Sequence, residues 1–130
     1  MPLFHRDGAA PDDPAAVFVF GSNIAGAHGG GAARAAVDRF DARMGVAEGM
    51  TGRAYAIPTV DHMIRPLPLE TVRASVERFL AHARANPQTL FFVTRVGCGI
   101  AGFADAEIAP LFRGAPDNLS FAESWREWLN

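Results

Sequence analysis

Two short stretches of this sequence are crowded with glycine, and both follow residues that favour a β-strand. In the first, Gly21-Ser22-Asn23 leads to His28-Gly29-Gly30-Gly31, with five glycines among residues 21–31. Glycine lets backbone N–H groups come close to an anion, and the first turn of a helix leaves N–H donors unpaired. A strand opening through such a loop into a helix therefore reads as a phosphate-binding loop for a nucleotide-like ligand. The alternative is a plain strand-to-helix turn, but three consecutive glycines carry an entropic cost that such a turn seldom requires. Asn23 can orient a ribose hydroxyl or a water, or equally cap its own loop as an Asx turn. His28 can meet a phosphate or carry a proton, or serve only as a loop residue.

The second stretch, Gly97-Cys98-Gly99-Ile100-Ala101-Gly102-Phe103, is expected to clamp the same ligand, with Phe103 covering a sugar or base. Cys98 is the sole cysteine. A nucleophilic thiol needs an adjacent base, and no histidine lies near it in sequence, so a small residue in a tight loop is the better reading. Asp61 and His62, between a strand and a helix, can form an acid/base pair or a solvated loop pair. Trp125 and Trp128 suit the cap of a core edge better than base stacking. His5, His28, His62 and His82 fall in separate segments with no i,i+4 pair, so no metal and no resident cofactor is expected. The chain has no lysine, which removes the Walker lysine of nucleoside triphosphatases. Nor does a G-x-G-x-x-G fingerprint stand where the first strand ends.

The elements that must position these residues follow from hydrophobic patterning. Short apolar runs predict strands at 16–20, 53–58, 90–96 and 118–121. Helices are expected at 31–43, at 69–86 with Val72, Val76, Phe79, Leu80 and Ala83 on one face, and at 105–113 with a bend near Pro110. An amphipathic turn, 123–129, follows. The β-α-β alternation predicts an α/β fold with a mainly parallel sheet covered on both faces by helices. Numbering the expected strands in sequence, the core order is 2-1-3-4, with strands one and three adjacent. Ligands in such sheets sit beyond the carboxyl ends of the strands, where both glycine loops emerge. Residues 1–15 are expected as an irregular lead-in and 16–130 as one domain.

Composition sets outer bounds. A 130-residue chain with 49% hydrophobic residues and a net charge of −2 fits one globular domain. Its 12 basic residues, all arginine, are scattered, so neither nonspecific nucleic-acid binding nor charge-driven membrane binding is expected. The N-terminal stretch has no continuous apolar run and no segment reaches the length of a membrane span, so the expected location is cytoplasmic.

Four blocks in order resemble macro domains, the ADP-ribose-binding α/β/α modules. They are Phe20-Gly21-Ser22-Asn23, the Gly29–Gly31 run opening a helix, Tyr55-Ala56-Ile57-Pro58-Thr59, and Gly97-Cys98-Gly99 with Gly102. The resemblance is nearest the branch that removes ADP-ribose from modified macromolecules. That branch includes antitoxins that reverse DNA ADP-ribosylation and a macro-like group of bacterial and phage proteins. It implies a three-layer α/β/α fold, ADP-ribose or a related nucleotide diphosphate as ligand, and an ADP-ribosylated macromolecule as partner. By the resemblance Asn23 matches the asparagine near the distal ribose, and Gly29–Gly31 and Gly97–Gly102 the two loops on the diphosphate. The chain departs from the family at Ala33, where one branch carries an acid, at Val60, where lysine usually follows the threonine, and at Ala101, often acidic or aromatic. Hydrolysis would then fall to Asn23 with Asp61 or His62 as base. The other readings are a noncatalytic nucleotide reader and a degenerate Rossmann-like domain acting through protein contacts.

Overall fold

Alternate residues of the central strands face opposite ways, and that alternation builds two cores, one on each side of a sheet. The computed structural model describes residues 2–129; Met1 and Asn130, the outer ends of the expected lead-in and domain, lie outside the described residues. Six strands, β1 (Leu3–His5), β2 (Val17–Asn23), β3 (Gly49–Thr51), β4 (Ala54–Val60), β5 (Phe91–Val93) and β6 (Leu119–Ala122), form one sheet in the order β1-β6-β5-β2-β4-β3. Every neighbouring pair is parallel except β3 with β4.

Helix α1 (Gly31–Phe40) covers one face, where Phe18, Phe20, Ala54, Ala56 and Phe92 of the sheet meet Ala36 and Phe40. The alanines let the helix lie close, and Phe18 stacks on Phe40 with ring centroids 4.3 Å apart. Helix α2 (Leu69–Ala85) covers the other face with Val72, Val76, Phe79, Leu80 and Ala83, the stripe expected from its periodicity. The short helix α3 (Asp105–Ile108), the 3-10 turn Ala109–Phe112 and Trp125 complete that layer, and helix α4 (Arg126–Leu129) closes the described chain. The fold is thus α/β in three layers.

The four expected strands occupy the centre in the expected order, β4-β2-β5-β6, and the full order differs by two added edges. Strand β1 falls in the stretch expected to be irregular. It has three residues, one of them the exposed Leu3, too few to show a period. Strand β3 pairs with β4 through a turn at Gly52, whose φ is +58° and whose hydrogen points at the Asp41 carbonyl, where a Cβ would stand 2.2 Å from the oxygen. β4 runs on through Pro58 instead of stopping there. β3 pairs only as far as Ala56, so on that side β4 has no ladder partner at Pro58. Helix α1 ends at Phe40, short of 43, because Asp41 turns into the left-handed region as its C-cap. The expected helix over 105–113 changes winding at Ala109, next to Pro110.

Candidate functional site

Since β2, β4 and β5 are parallel, their following loops leave the same edge of the sheet. Gly21, near the end of β2, is where they touch. A Cβ there would lie 3.3 Å from Thr59 Oγ1 and 3.4 Å from the Gly97 nitrogen, so glycine permits the close approach of all three segments. Further out, the Ile100 side chain of the second loop reaches 4.0 Å from where a Gly30 Cβ would stand. Space is otherwise open around Gly29 and Gly31, and Gly31 adopts φ +57°. The N-cap of α1, Gly30, makes no side-chain cap, and the first turn holds no acid. The leading N–H groups of this helix therefore face the loops without a capping side chain or a repelling charge.

The polar side chains of the first loop hold the protein together. The Ser22 hydroxyl donates to the Ala47 carbonyl. Asn23 Nδ2 donates to the Ala27 carbonyl at 2.6 Å, while its Oδ1 accepts the Ala27 N–H at 3.1 Å. This is the local cap that was the alternative to a ribose contact, although one Nδ2 hydrogen and the second Oδ1 lone pair are not used by these bonds. His28 is 1% exposed, sits edge-on to Phe20 at 5.2 Å, and neither ring nitrogen has a hydrogen-bond partner among the described residues.

The second loop folds back on itself. The Phe103 N–H donates to the Gly97 carbonyl at 3.0 Å, and the Phe103 ring lies 3.3 Å from a Gly97 Cβ position. Phe103 packs against the core beneath. Gly99, Ile100 and Gly102 are exposed and Ala101 is buried. Cys98 is half-buried, and burial together with Asp105 pushes its thiol up to about 12, so it is protonated at neutral pH. That suits a packing residue and not a nucleophile.

An anchor that sequence reading missed fastens the loop from below. Arg95 grips Asp105 through two bonds of 2.9 and 2.6 Å, and Trp125 Nε1 donates to the same carboxylate at 2.6 Å. The Arg95 guanidinium, ahead of the Trp125 bond, holds the Asp105 carboxyl below its ordinary value. These partners are ten and twenty residues apart, so no local pattern in the sequence pointed to them. Trp125 is fully buried, as the cap of the core.

Asp61 and His62 follow β4 at the same edge. The Asp61 carboxylate accepts the N–H groups of Met63 (2.8 Å) and Arg65 (3.0 Å) and the Arg65 Nε (3.0 Å), staples a tight loop, and is held below its ordinary range chiefly by the Arg65 N–H. It is committed to that loop and not to its neighbour His62, which is exposed. A cavity of about 310 Å³ beside Pro2, Phe112, Arg113 and Trp128 involves none of these loops.

No protein-family model matches the chain, and no curated protein matches it in sequence. Solved structures match its shape. The macrodomain of Mycobacterium tuberculosis DarG superposes with a TM-score of 0.69 at 15% identity, covering 94% of this chain and 97% of that one. A protein of unknown function from Bacteroides thetaiotaomicron gives 0.65 at 14%, with the same coverage. Thermosipho africanus DarTG, solved in complex with ADP-ribose, gives 0.57 at 13%, over 84% of this chain and 38% of that longer one. The order of strands, the three layers and these superpositions together define the architecture: the chain has the macrodomain fold.

Proposed function

We propose that this protein binds ADP-ribose, or a nucleotide diphosphate like it, through backbone N–H groups of the loops 21–31 and 97–103. The observation that carries the reading is the meeting of the two loops at Gly21 and Gly97 beside the uncapped start of α1. An anion at a helix N-terminus gains about 0.3–1 kcal/mol, and up to ~2 when partly buried. Several converging N–H donors add charge-assisted bonds. The DarTG complex with ADP-ribose supports the choice of ligand. Gly21, Ser22, Asn23, His28 and Gly29–Gly31 form one wall, and Gly97–Phe103 the other.

Binding without turnover is the favoured form. Asp61 is occupied as a staple, and Ala33, Val60 and Ala101 offer no acid or base. Hydrolysis of an ADP-ribosyl linkage, the second reading, would rest on the exposed His62 as proton carrier with Asn23 holding the ribose or a water. Calorimetry with ADP-ribose, NAD and ADP tests the first reading, and release assays on ADP-ribosylated protein and DNA test the second. Gly30 has an extended backbone (φ −159°) and open surroundings, so Gly30→Glu folds normally. Its carboxylate is expected to cost about 100-fold in affinity, or about 2.7 kcal/mol. Undiminished binding by that variant would displace the phosphate from this loop. Turnover lost in His62→Ala would favour the hydrolase.

A further inference from the structure

The cavity of about 310 Å³ lies against the core on the α2 face, away from the glycine loops. Its size falls at the lower end of small-molecule sites, which run from about 300 to 1,000 Å³. Three pieces of chain enclose it: the turn after the 3-10 segment Ala109–Phe112, helix α4, and Pro2 ahead of β1. The floor is aromatic and fixed. Phe112 and Phe121 are fully buried, meet in a T-shape at 5.5 Å, and both pack on Trp125, at 5.4 and 6.2 Å between ring centroids. Ala115, Trp128 and Leu129, each partly buried against the same core, add apolar walls.

One charged side chain enters this lining. Arg113 Nε donates to the Trp128 carbonyl at 3.2 Å, and Arg113 makes no ion pair among the described residues. Held at Nε, the guanidinium keeps its plane fixed and leaves its two terminal nitrogens to a ligand, in the paired geometry that suits a carboxylate. A second guanidinium, Arg84 of α2, donates to the Gly114 carbonyl at 3.1 Å on the same turn and likewise makes no ion pair among the described residues. No acidic side chain lines the cavity among the described residues. Glu127 belongs to a separate surface with Glu123 and Arg126, and Asp117 has interactions of its own.

We propose that this cavity is a second binding site, separate from the glycine cleft, for a small aromatic carboxylate. The ring lies on the apolar walls, where leaving water is favourable, and the carboxylate stays at the exposed Arg113, where it is paired and still partly hydrated. An amine would meet the arginine charge. A phosphate is the poorer fit, because the N–H groups of Arg113 and Ala115 are spent on the Pro110 and Phe112 carbonyls and cannot surround it.

NMR titration of the whole chain with 2-naphthoate and with its neutral amide, 2-naphthamide, tests the site. The chain has two tryptophans, so two indole N–H signals report on it. The acid is expected to move the Trp128 indole and the amides of 112–115, and to bind at least about tenfold tighter than the amide, as a charge-assisted pair allows. Arg113→Gln removes the charge at an exposed position and is expected to melt with the parent. It should bring the affinity for 2-naphthoate down to that for 2-naphthamide. Absence of 2-naphthoate binding, equal binding of the two probes, or unchanged affinity in Arg113→Gln each overturns the proposal. Signals moving at 97–103 in place of 112–115 and Trp128 would put the probe in the glycine cleft and overturn it as well.

Discussion

His28 is buried with two polar ring atoms that have no hydrogen-bond partner among the described residues. Leaving a buried donor or acceptor unpaired costs about 1–3 kcal/mol. Replacing the ring by a hydrocarbon of similar reach removes that cost, so His28→Leu is expected to raise the melting temperature by several degrees in thermal unfolding. Ligand titration of the same variant decides the role of the ring. Unchanged affinity assigns His28 to packing under the loop, whereas a loss of affinity with a gain in stability assigns it to the ligand. The residue types were legible in the sequence as candidates; their tasks were not. Asn23 reads equally as a ribose contact or a cap of its own loop, and the cap is what it makes; Ser22 and Asp61 are likewise engaged by backbone whose nearness depends on the folded loop. Cys98 reads as a packing residue from the lack of a neighbouring base, and burial together with Asp105 raises its thiol, in keeping with that reading.

Among the elements, the second glycine loop depends on the Arg95–Asp105–Trp125 anchor. Asp105→Asn keeps the shape and removes the charge. It is expected to cost about 1–2 kcal/mol, since the arginine side is partly exposed and screened. Amide exchange over 97–103 should quicken, and ADP-ribose affinity should fall with it. The carboxyl of Asp105 lies below its ordinary value when folded. Its stabilisation is therefore complete above the unfolded value near ~3.9 and is lost as pH falls through the lower, folded one. An acid titration of stability in that range should be shallower for the variant. The long helices and central strands were legible because apolar residues repeat along them. The three-residue strands β1 and β3 carry no such repeat and exist only because β6 and β4 offer them an open edge.

At the scale of the molecule, the first strand meets the last strand and the turn that follows it. Strand β1 pairs in parallel with β6, Ser124 donates its N–H to Asp7 at 3.1 Å, and the Arg126 guanidinium lies 4.2 Å from the Phe4 ring centre. His5 stacks on Phe92 at 3.7 Å and bonds Ser120, and burial lowers its pKa to about 4. The unfolded chain therefore takes up a proton between about 6.5 and 4 that the folded one refuses. Stability is expected to be full above 6.5 and to decline as pH falls towards 4. His5→Phe, which keeps the stack, should flatten that decline in denaturant titrations at successive pH values. No composition signal foretold this closure, because the partners stand 115 residues apart in the chain.

The parallel pairing of β1 with β6 has a practical corollary. Leu3 lies opposite Ser120, near the start of β6, so the chain enters the sheet at the margin remote from Gly21 and Gly97. A handle fused ahead of β1 would hold the molecule by its back. On a sensor surface, or behind another folded unit, the cleft would point outward and stay open to bulky cargo.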